Sequence, residues 1–260
     1  RLAGREQQLC GGQDFRHARL IVCAEQRRAV GDDQALADGM LHLRILLRRE
    51  HDVLFLVQHH VAAIIGFGDA GADVLARGVR RGIHVVIATG RVYASLPEAV
   101  KNIQGLQYII TSNGAHISDA ATGEILYSDC MEPEAVDLVL EILPQEPYPV
   151  EVFTGGKAYI ARNIYEDLAQ NGSDFMSAKY VLRTRTPVDD IYALMREHRE
   201  AIENINVHFA AQEARMAMWE RFAKLPHMTV TSSTHHNIEI GGVTTSKVAA
   251  LAEVYGRLGL

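Results

Sequence analysis

The sequence predicts an α/β protein, with a Rossmann-like parallel-sheet core and a second α/β region inserted into it. Two observations lead to this prediction. Buried strands alternate with amphipathic helices from about residue 61 onward, as in a parallel sheet. Further along, hairpins and helices occupy the middle of the chain before a closing helix. We therefore assign residues 61–128 and 235–260 to the core and residues 129–234 to a region inserted into it.

The core begins with a β-α-β pattern. VAAII (61–65) is typical of a buried strand, ADVLARGVRRG (72–82) of a helix, and IHVVIAT (83–89) of a second strand. YIITSN (108–113) predicts another strand, which is reached through a short helix around PEAVKNI (97–103). Because a helical crossover joins parallel neighbours, several of these strands are predicted to be parallel.

The remaining elements follow from hydrophobic spacing and turn residues. ISDAATGEILYS predicts a hairpin with Ala-Thr-Gly at its tip. After this hairpin we predict, in order, a helix over 132–143, a hairpin over 151–161, a helix over 188–205, a strand over 206–212, a helix over 213–226, strands over 229–234 and 236–240, and a closing helix over 244–260.

The amino-terminal part of the chain has an anomalous composition. The first 88 residues contain no Ser, Thr, Pro, Asn, Lys, Tyr or Trp, and all of these types appear from Thr89 onward. Such a segment lacks the usual helix caps and turn residues. We interpret residues 1–60 as an anomalous segment, which is either an unusual extension or the product of a displaced reading frame. Within it, spacing predicts a helix over 32–50 and a strand over 51–57.

Composition limits the classes of function. The chain has 260 residues, 48% of them hydrophobic, so it can bury a core. A net charge of -6 gives no electrostatic footprint for nucleic acid, and no apolar run approaches the roughly 20 residues that span a bilayer. Three cysteines without metal-ligand spacing fit a reducing compartment. We expect a cytoplasmic protein, and the absence of an initial methionine or a signal-peptide pattern is consistent with a fragment.

Polar residues follow two neighbouring strands of the predicted sheet. Thr89 and Gly90 end one strand, and Ser112, Asn113 and Gly114 end the next. The carboxyl ends of parallel strands meet at one edge, where ligands gather. A hydroxyl followed by backbone N–H groups can hold a phosphate oxygen, and glycine lets the backbone come close. The sequence therefore predicts an anion site at this edge.

A lysine near the start of the last predicted helix completes this prediction. Lys247 follows the polar run Thr-Thr-Ser and is expected to reach back and neutralise an anion.

These motifs together resemble a known family. VVIATGR, YIITSNGA, EVFTGGKAYI and NIEIGGVTTSKVAAL resemble, in order and in spacing, the Cof-type branch of the haloacid dehalogenase superfamily of phosphatases. The resemblance covers residues 72–260. It implies that the Thr89 hydroxyl binds the transferring phosphoryl group and that Lys247 balances the charge on nucleophile and phosphate. Both residues are thus the predicted catalytic residues.

The resemblance also implies substrate-binding residues. Arg91 and Asn113 match family positions near the entrance of the active site, and the adjacent Gly90 and Gly114 are grouped with them. By the same resemblance, residues 129–234 are the α/β cap domain inserted into an incomplete Rossmann-like core, and this cap would close over the substrate and select it. Gly155, Gly156 and Lys157 lie in a cap hairpin like that of the family, and they are treated as candidate substrate contacts.

The chain departs from the family at two motifs. Family members open with Asp-x-Asp-Gly-Thr about 34 residues before the motif-two hydroxyl, where the first Asp attacks phosphorus. Counting back from Thr89 leads to Phe55, where no such motif exists. The fourth motif, whose aspartates hold Mg²⁺, should follow Lys247 by some twenty residues, and the sequence ends at Leu260. Mg²⁺ is thus expected for the family, but its ligands are not found, and no metal-binding residue is predicted.

The implied function is Mg²⁺-dependent hydrolysis of a small phosphomonoester, such as a sugar phosphate, by an aspartyl-phosphate route. Phosphoryl transfer needs an activated nucleophile and a general acid. Since the chain offers a hydroxyl and a lysine only, we predict little or no turnover. Asp52 and Asp69 are interpreted as solvated loop carboxylates. The partner is a small phosphorylated metabolite, and the oligomeric state is left open.

Two other functions remain open at this point. Gly66, Gly68 and Gly71 form a GxGxxG pattern after a predicted strand, which is typical of dinucleotide binding. The second strand lacks the acidic residue that binds the ribose of NAD, and Thr89 with Arg91 would suit only the 2′-phosphate of NADP. The third possibility is a non-catalytic protein that binds a phosphorylated metabolite.

Overall fold

The computed structural model describes residues 84–259, the helical pairs 75–76 and 79–80, and the backbone of two strands at 20–24 and 54–57. The predicted helix over 32–50, the predicted strand over 61–65 and the GxGxxG glycines lie outside the described residues. Within the described part of the chain, no helix is both long enough and apolar enough to cross a membrane.

The first sheet belongs to the core and has six strands. In chain order they are β1 (Leu20–Ala24), β2 (Leu54–Val57), β3 (His84–Ala88), β4 (Tyr108–Thr111), β5 (His116–Asp119) and β6 (Ile125–Ser128). Their spatial order is β2-β1-β3-β4-β5-β6. Strands β2, β1, β3 and β4 are parallel, and β5 and β6 are antiparallel additions. The predicted α/β class with parallel strands is confirmed.

Helices cover both faces of this sheet, which is why β3 and β4 are continuous apolar runs. On one face, Leu75 and Ala76 pack with the helix α1 (Glu98–Lys101). On the other, the closing helix packs Ala250, Leu251 and Val254 against the sheet. The core is therefore built around the two strands whose ends carry the predicted phosphate-binding residues.

The second sheet also has six strands, in the spatial order β11-β12-β10-β7-β8-β9. These strands are β7 (Val150–Thr154), β8 (Lys157–Ala161), β9 (Thr186–Val188), β10 (Ile202–His208), β11 (Met228–Thr231) and β12 (Asn237–Gly242). The helices of the region are α2 (Pro133–Ile142), α3 (Arg162–Asn171), α4 (Ala178–Thr184), α5 (Ile191–Glu197) and α6 (Gln212–Phe222), and the chain continues into α7 (Lys247–Leu258).

The two faces of the second sheet differ in chemistry. Alternate residues of β7, β10 and β12, such as Val152, Ile205 and Ile240, are fully buried in one apolar cluster with α2, α5 and α6. The residues between them, including Glu151, Asn206 and Glu239, face the other way. Because successive side chains of a strand point to opposite faces, this sheet has one apolar face and one polar face.

Several predicted elements need correction. The predicted helix over 188–205 ends at Glu197, and residues 202–205 instead open β10, because pairing with β7 and β12 buries this run on both faces and overrides its local preference. Helices α3 and α4 had no counterpart in the prediction. The strand at 237–242 pairs with β10 and β11, so it joins the second sheet, although residues 235–260 were assigned to the core.

Candidate functional site

A cavity of about 560 Å³ lies between the end of the core sheet and the polar face of the second sheet. That volume falls in the range of small-molecule sites, roughly 300–1,000 Å³. The core contributes four of the predicted site residues to the lining, namely Gly90, Arg91, Asn113 and Lys247. The second sheet contributes chiefly amides, hydroxyls and carboxylates, namely Glu203, Asn204, Asn206, Thr229, Thr231 and Glu239.

Thr89 lies beneath this lining at the end of β3. Its side chain is 1% exposed, and its hydroxyl oxygen accepts a hydrogen bond from the Arg91 backbone N–H at 3.1 Å. Its backbone N–H donates to the Ile110 carbonyl of β4 at 2.9 Å, and its carbonyl accepts from the Asn113 N–H at 3.0 Å. The loop after β3 is thus fixed to the loop after β4.

The turn after β4 has an uncommon backbone conformation. Ser112 and Asn113 have φ of 49° and 59°, in the left-handed region that non-glycine residues seldom adopt. Such conformations persist where surrounding contacts hold them, and they cluster at functional sites. Here the Ser112 N–H donates to the Arg91 carbonyl at 2.9 Å, which is one of the holding contacts.

Gly114 completes this turn and lies directly against the start of α7. Its φ is 115°, and a Cβ built there would lie 2.3 Å from the Ser246 carbonyl atoms and 2.9 Å from the backbone nitrogen of Lys247. Helix α7 begins at Lys247, and the Ser246 hydroxyl caps it by accepting from the Ala249 N–H at 3.0 Å. The absence of a side chain at Gly114 therefore sets how closely Lys247 approaches the ends of β3 and β4.

Glu203 of β10 links the second sheet to the core. The residue is fully buried, and its carboxylate accepts hydrogen bonds from the Ser112 hydroxyl and, at 2.6 Å, from the Gly156 N–H. The register of β10 against β7 shifts between Ile202 and Asn204. A β-bulge of this kind re-aims a side chain, and here both Glu203 and Asn204 face the cavity.

A second carboxylate makes a parallel contact. Glu239 of β12 accepts a hydrogen bond from the Asn113 side-chain amide at 3.0 Å and another from Asn237 at 3.2 Å. Ser112 and Asn113, adjacent residues of the turn after β4, thus donate to carboxylates on two neighbouring strands of the second sheet. These hydrogen bonds join the polar edge of the first sheet to the polar face of the second.

A stack of aromatic and guanidinium groups forms another wall of the cavity. The Arg91 guanidinium carbon lies 4.8 Å from the centre of the Tyr180 ring, and that of Arg185 lies 4.9 Å from the same ring. Arg185 also lies 5.2 Å from the Phe153 ring. Cation–π contacts of this type orient guanidinium planes. They place Arg91, which follows β3 of the first sheet, beside Arg185, which precedes β9 of the second.

The charge of Arg185 is balanced by Glu151, which is fully buried. The two groups form a pair of hydrogen bonds at 3.0 and 3.1 Å, and His208 lies 3.2 Å from the same carboxylate. Burial alone would raise the pKa of Glu151, but the charge of Arg185, with the hydrogen bonds from Arg185 and His208, outweighs it and holds that pKa well below its usual range. This carboxylate is therefore ionised and paired.

His116 of β5 is a further buried titratable group near the site. Its Nδ1 atom lies 3.5 Å from the Glu203 carboxylate, and its side chain is 5% exposed. Burial lowers the pKa of His116, and the negative charge of Glu203 partly opposes that shift.

The hairpin of β7 and β8 contacts the loop after β3. Gly155, Gly156 and Lys157 are not among the described residues that line the cavity. Gly156 instead accepts a hydrogen bond from the Ala94 N–H at 3.3 Å while its own N–H donates to Glu203. The hairpin therefore joins the second sheet to the loop after β3.

Several cavity residues were missed in the sequence. Glu203 and Asn206 fall within the run IENINV, and Glu239 within NIEIGG, where polar residues are interspersed among isoleucine and valine. Glutamate and asparagine are depleted in strands, so their presence within these β-branched runs was an available signal for a polar, ligand-facing surface. The assignment of residues 188–205 to a helix concealed it.

The family resemblance predicts a bound Mg²⁺, which needs side-chain ligands. Among the described residues, no group of three or more His, Cys, Asp or Glu side chains is placed to hold a metal ion. Strands β1 and β2 are followed in the sequence by EQRR and QHH, which contain no aspartate. The described side chains thus provide no cluster that fits the cation.

Comparison with known proteins agrees with this geometry. The sequence model for haloacid dehalogenase-like hydrolases matches residues 68–260. Phosphatase YwpJ of Bacillus subtilis (strain 168) is 27% identical over 204 residues, which cover 72% of this chain and 71% of that protein. A chain described as a haloacid dehalogenase-like hydrolase from B. subtilis superposes with a TM-score of 0.61 at 20% identity, covering 93% of this chain and 79% of that one.

A further solved structure shares the fold. The HAD subclass IIB sugar phosphatase BT4131 superposes with a TM-score of 0.59 at 11% identity, covering 94% of this chain and 77% of that chain. At this identity the likeness is one of fold.

Proposed function

This chain belongs to the haloacid dehalogenase-like hydrolase family, and from this premise we propose that its cavity binds a small phosphomonoester, with the phosphate at the core edge and the alcohol part against the cap sheet. The family is one of phosphatases, and the chain is of the Cof type. A sugar phosphate or a similar polyol phosphate is the proposed substrate class.

The observation that carries the proposal is the division of the cavity lining between its two sides. The core side supplies Lys247 and Arg91, the charged groups suited to a phosphate. The cap side supplies Asn204, Thr229 and Thr231, together with further hydroxyls and amides that can each exchange hydrogen bonds with a sugar hydroxyl. A molecule with one anionic end and one polyhydroxyl end matches this arrangement.

Each core residue has a distinct part in the proposal. The Thr89 hydroxyl and the backbone after it contact the phosphate oxygens, and Gly90 permits close approach because it lacks a side chain. Lys247, the first residue of α7, balances the negative charge, and the positive end of the helix adds to it. Asn113 and Arg91 border the phosphate and are held in place by Glu239 and Tyr180.

Hydrolysis needs groups that we do not find. In the family an aspartate attacks phosphorus and Mg²⁺ neutralises charge, but the sequence before Thr89 contains no Asp-x-Asp pair. The side chains described here bind and orient a phosphomonoester, exclude water by cap closure, and supply no attacking atom. We therefore propose that this polypeptide retains binding and has little or no turnover of its own.

Isothermal titration with glucose 6-phosphate tests the binding proposal. We expect saturable binding that inorganic phosphate displaces and that Lys247→Met weakens by about tenfold or more, since a charge-assisted contact is lost. A matched control is Lys224→Met, which removes an exposed lysine of the segment after α6.

The same preparation separates the rival functions. A thermal shift of several degrees with NADPH, and none with glucose 6-phosphate, would favour dinucleotide binding and contradict the proposal. If the wild type and Lys247→Met bind glucose 6-phosphate equally, Lys247 does not contact the ligand.

A further inference from the structure

The carboxylates of the cap side carry information about the substrate beyond its phosphate. We propose that the cavity selects phosphomonoesters whose alcohol part has no second anionic group, and that Glu239 is the residue that excludes one. This inference rests on the proposed function, since it concerns the alcohol end of the same ligand.

Positive charge for a second anion is scarce in the cavity lining. Among the described residues that line the cavity, the cationic side chains are Arg91, Lys247 and Arg185. The first two belong to the core edge, where the phosphate is placed. A second phosphate or a carboxylate on the alcohol part would lie against the cap, so its counter-charge would have to come from Arg185.

Arg185 is already committed. Its Nε and Nη2 atoms donate to Glu151 at 3.0 and 3.1 Å, and its Nη1 donates to the Thr184 hydroxyl at 3.0 Å. Rings of Phe153 and Tyr180 lie against it, and its side chain is 6% exposed. The pair it forms with Glu151 carries no net charge, so it offers little attraction to an added anion.

Two carboxylates give the second-sheet side of the cavity negative charge. Glu239 lines the cavity from β12, and Glu203 lines it from β10. The only hydrogen bonds described to the Glu239 carboxylate come from neutral amides, those of Asn113 and Asn237. Amides orient a carboxylate without cancelling its charge. The cap side of the lining therefore presents negative charge, which repels a second anion at short range.

The same carboxylate suits a neutral polyol. Each carboxylate oxygen has lone pairs for more than one hydrogen bond, so Glu239 can accept from a sugar hydroxyl while it keeps its amide partners. The side-chain amide of the neighbouring Asn204 can donate to the sugar hydroxyl oxygens, which a carboxylate cannot do. A ring hydroxyl is thus accepted where a phosphate oxygen, which has no proton to donate, is rejected.

A matched pair of ligands tests this inference. Glucose 6-phosphate and glucose 1,6-bisphosphate differ by one phosphate on the same sugar, and their affinities are measured by isothermal titration in one buffer. We expect the bisphosphate to bind about tenfold or more weakly to the wild type. Glu239→Gln keeps the side-chain shape and removes the repulsion, so it should reduce severalfold the ratio of the dissociation constant of the bisphosphate to that of the monophosphate. Glu220→Gln, an exposed charge change on α6, should leave it unchanged.

The outcomes separate the inference from the proposal beneath it. If the bisphosphate binds the wild type as tightly as the monophosphate, the cavity does not select against a second anion and the inference is overturned, while phosphomonoester binding stands. If the ratio is unaltered in Glu239→Gln, the role of this residue is overturned. If neither sugar phosphate nor inorganic phosphate binds, the proposed function fails and the inference fails with it.

Discussion

Replacing Gly114 with alanine should both destabilise the protein and disturb its phosphate site. The added Cβ would lie 2.3 Å from the Ser246 carbonyl atoms, more than 1 Å closer than an ordinary contact, and φ is 115°. Backbone strain of this kind costs on the order of 1–3 kcal/mol, and overpacking costs roughly the same again. The total is about 4 kcal/mol, which corresponds to a fall in Tm of about 8–16 °C for a chain of this size.

The other end of the same helix supplies the control. Gly259 has φ of 69° and ψ of 31°, and a Cβ there would meet nothing within 4 Å. Gly259→Ala therefore adds strain without overlap, costs about 1–2 kcal/mol, and should lower Tm by about 2–8 °C. Thermal unfolding followed by circular dichroism compares the two variants.

Phosphate affinity is the second measurement on these variants. Since the Gly114→Ala overlap involves the Lys247 nitrogen, the start of α7 must shift and weaken phosphate binding by about tenfold, whereas Gly259→Ala should bind as the wild type does. Equal Tm values and equal affinities in the two variants would refute the view that Gly114 sets the position of Lys247.

Three further outcomes are expected. Glu151→Gln should destabilise by about 3–5 kcal/mol because it leaves Arg185 buried without its counter-charge. Since the folded pKa of Glu151 lies below its ordinary value of about 4.5, the wild type should lose this stabilisation as pH falls below that value. Melting curves of both proteins at pH 7 and pH 4 show whether the difference shrinks in acid. His116 has a folded pKa lowered by burial from about 6.5, so its contribution is present above pH 6.5 and is lost as pH falls toward the folded pKa. His116→Asn should accordingly lose less Tm than the wild type between pH 7.5 and 5.5, and an identical loss would contradict this. With p-nitrophenyl phosphate or acetyl phosphate plus Mg²⁺ we expect little or no turnover, and clear turnover that survives Asp52→Asn and Asp69→Asn would show that a nucleophile has been overlooked.

The parallel core was predictable because its signals are local. The apolar run HVVIA and the run YIIT each precede a polar turn, and the structure forms both as buried strands of one sheet. The loops that follow them carry Gly90, Arg91 and Asn113, which line one cavity with Lys247. In a parallel sheet the strand direction alone brings such loops to one edge, so sequence order was sufficient information.

The cap side of the cavity was not predictable in the same way. Glu203 faces the cavity through a register shift in β10, and Arg185 faces it because Tyr180 and Glu151 hold it there. The Arg185–Glu151 pair joins residues 34 positions apart, and the Ser112–Glu203 hydrogen bond joins residues 91 positions apart, so neither contact follows from the local sequence. The bulge itself depends on how β10 pairs with β7, so it follows from tertiary structure.

The measurement that tests the account most directly is a crystal structure of this protein soaked with tungstate, an electron-dense mimic of phosphate. The claim is that Thr89 and Lys247 flank one anion site. We expect a single strong peak within hydrogen-bonding distance of the Thr89 hydroxyl and the Lys247 ammonium group. A peak bound to one of these residues with the other side chain far away, or the two groups facing different sides of the core sheet, would contradict it.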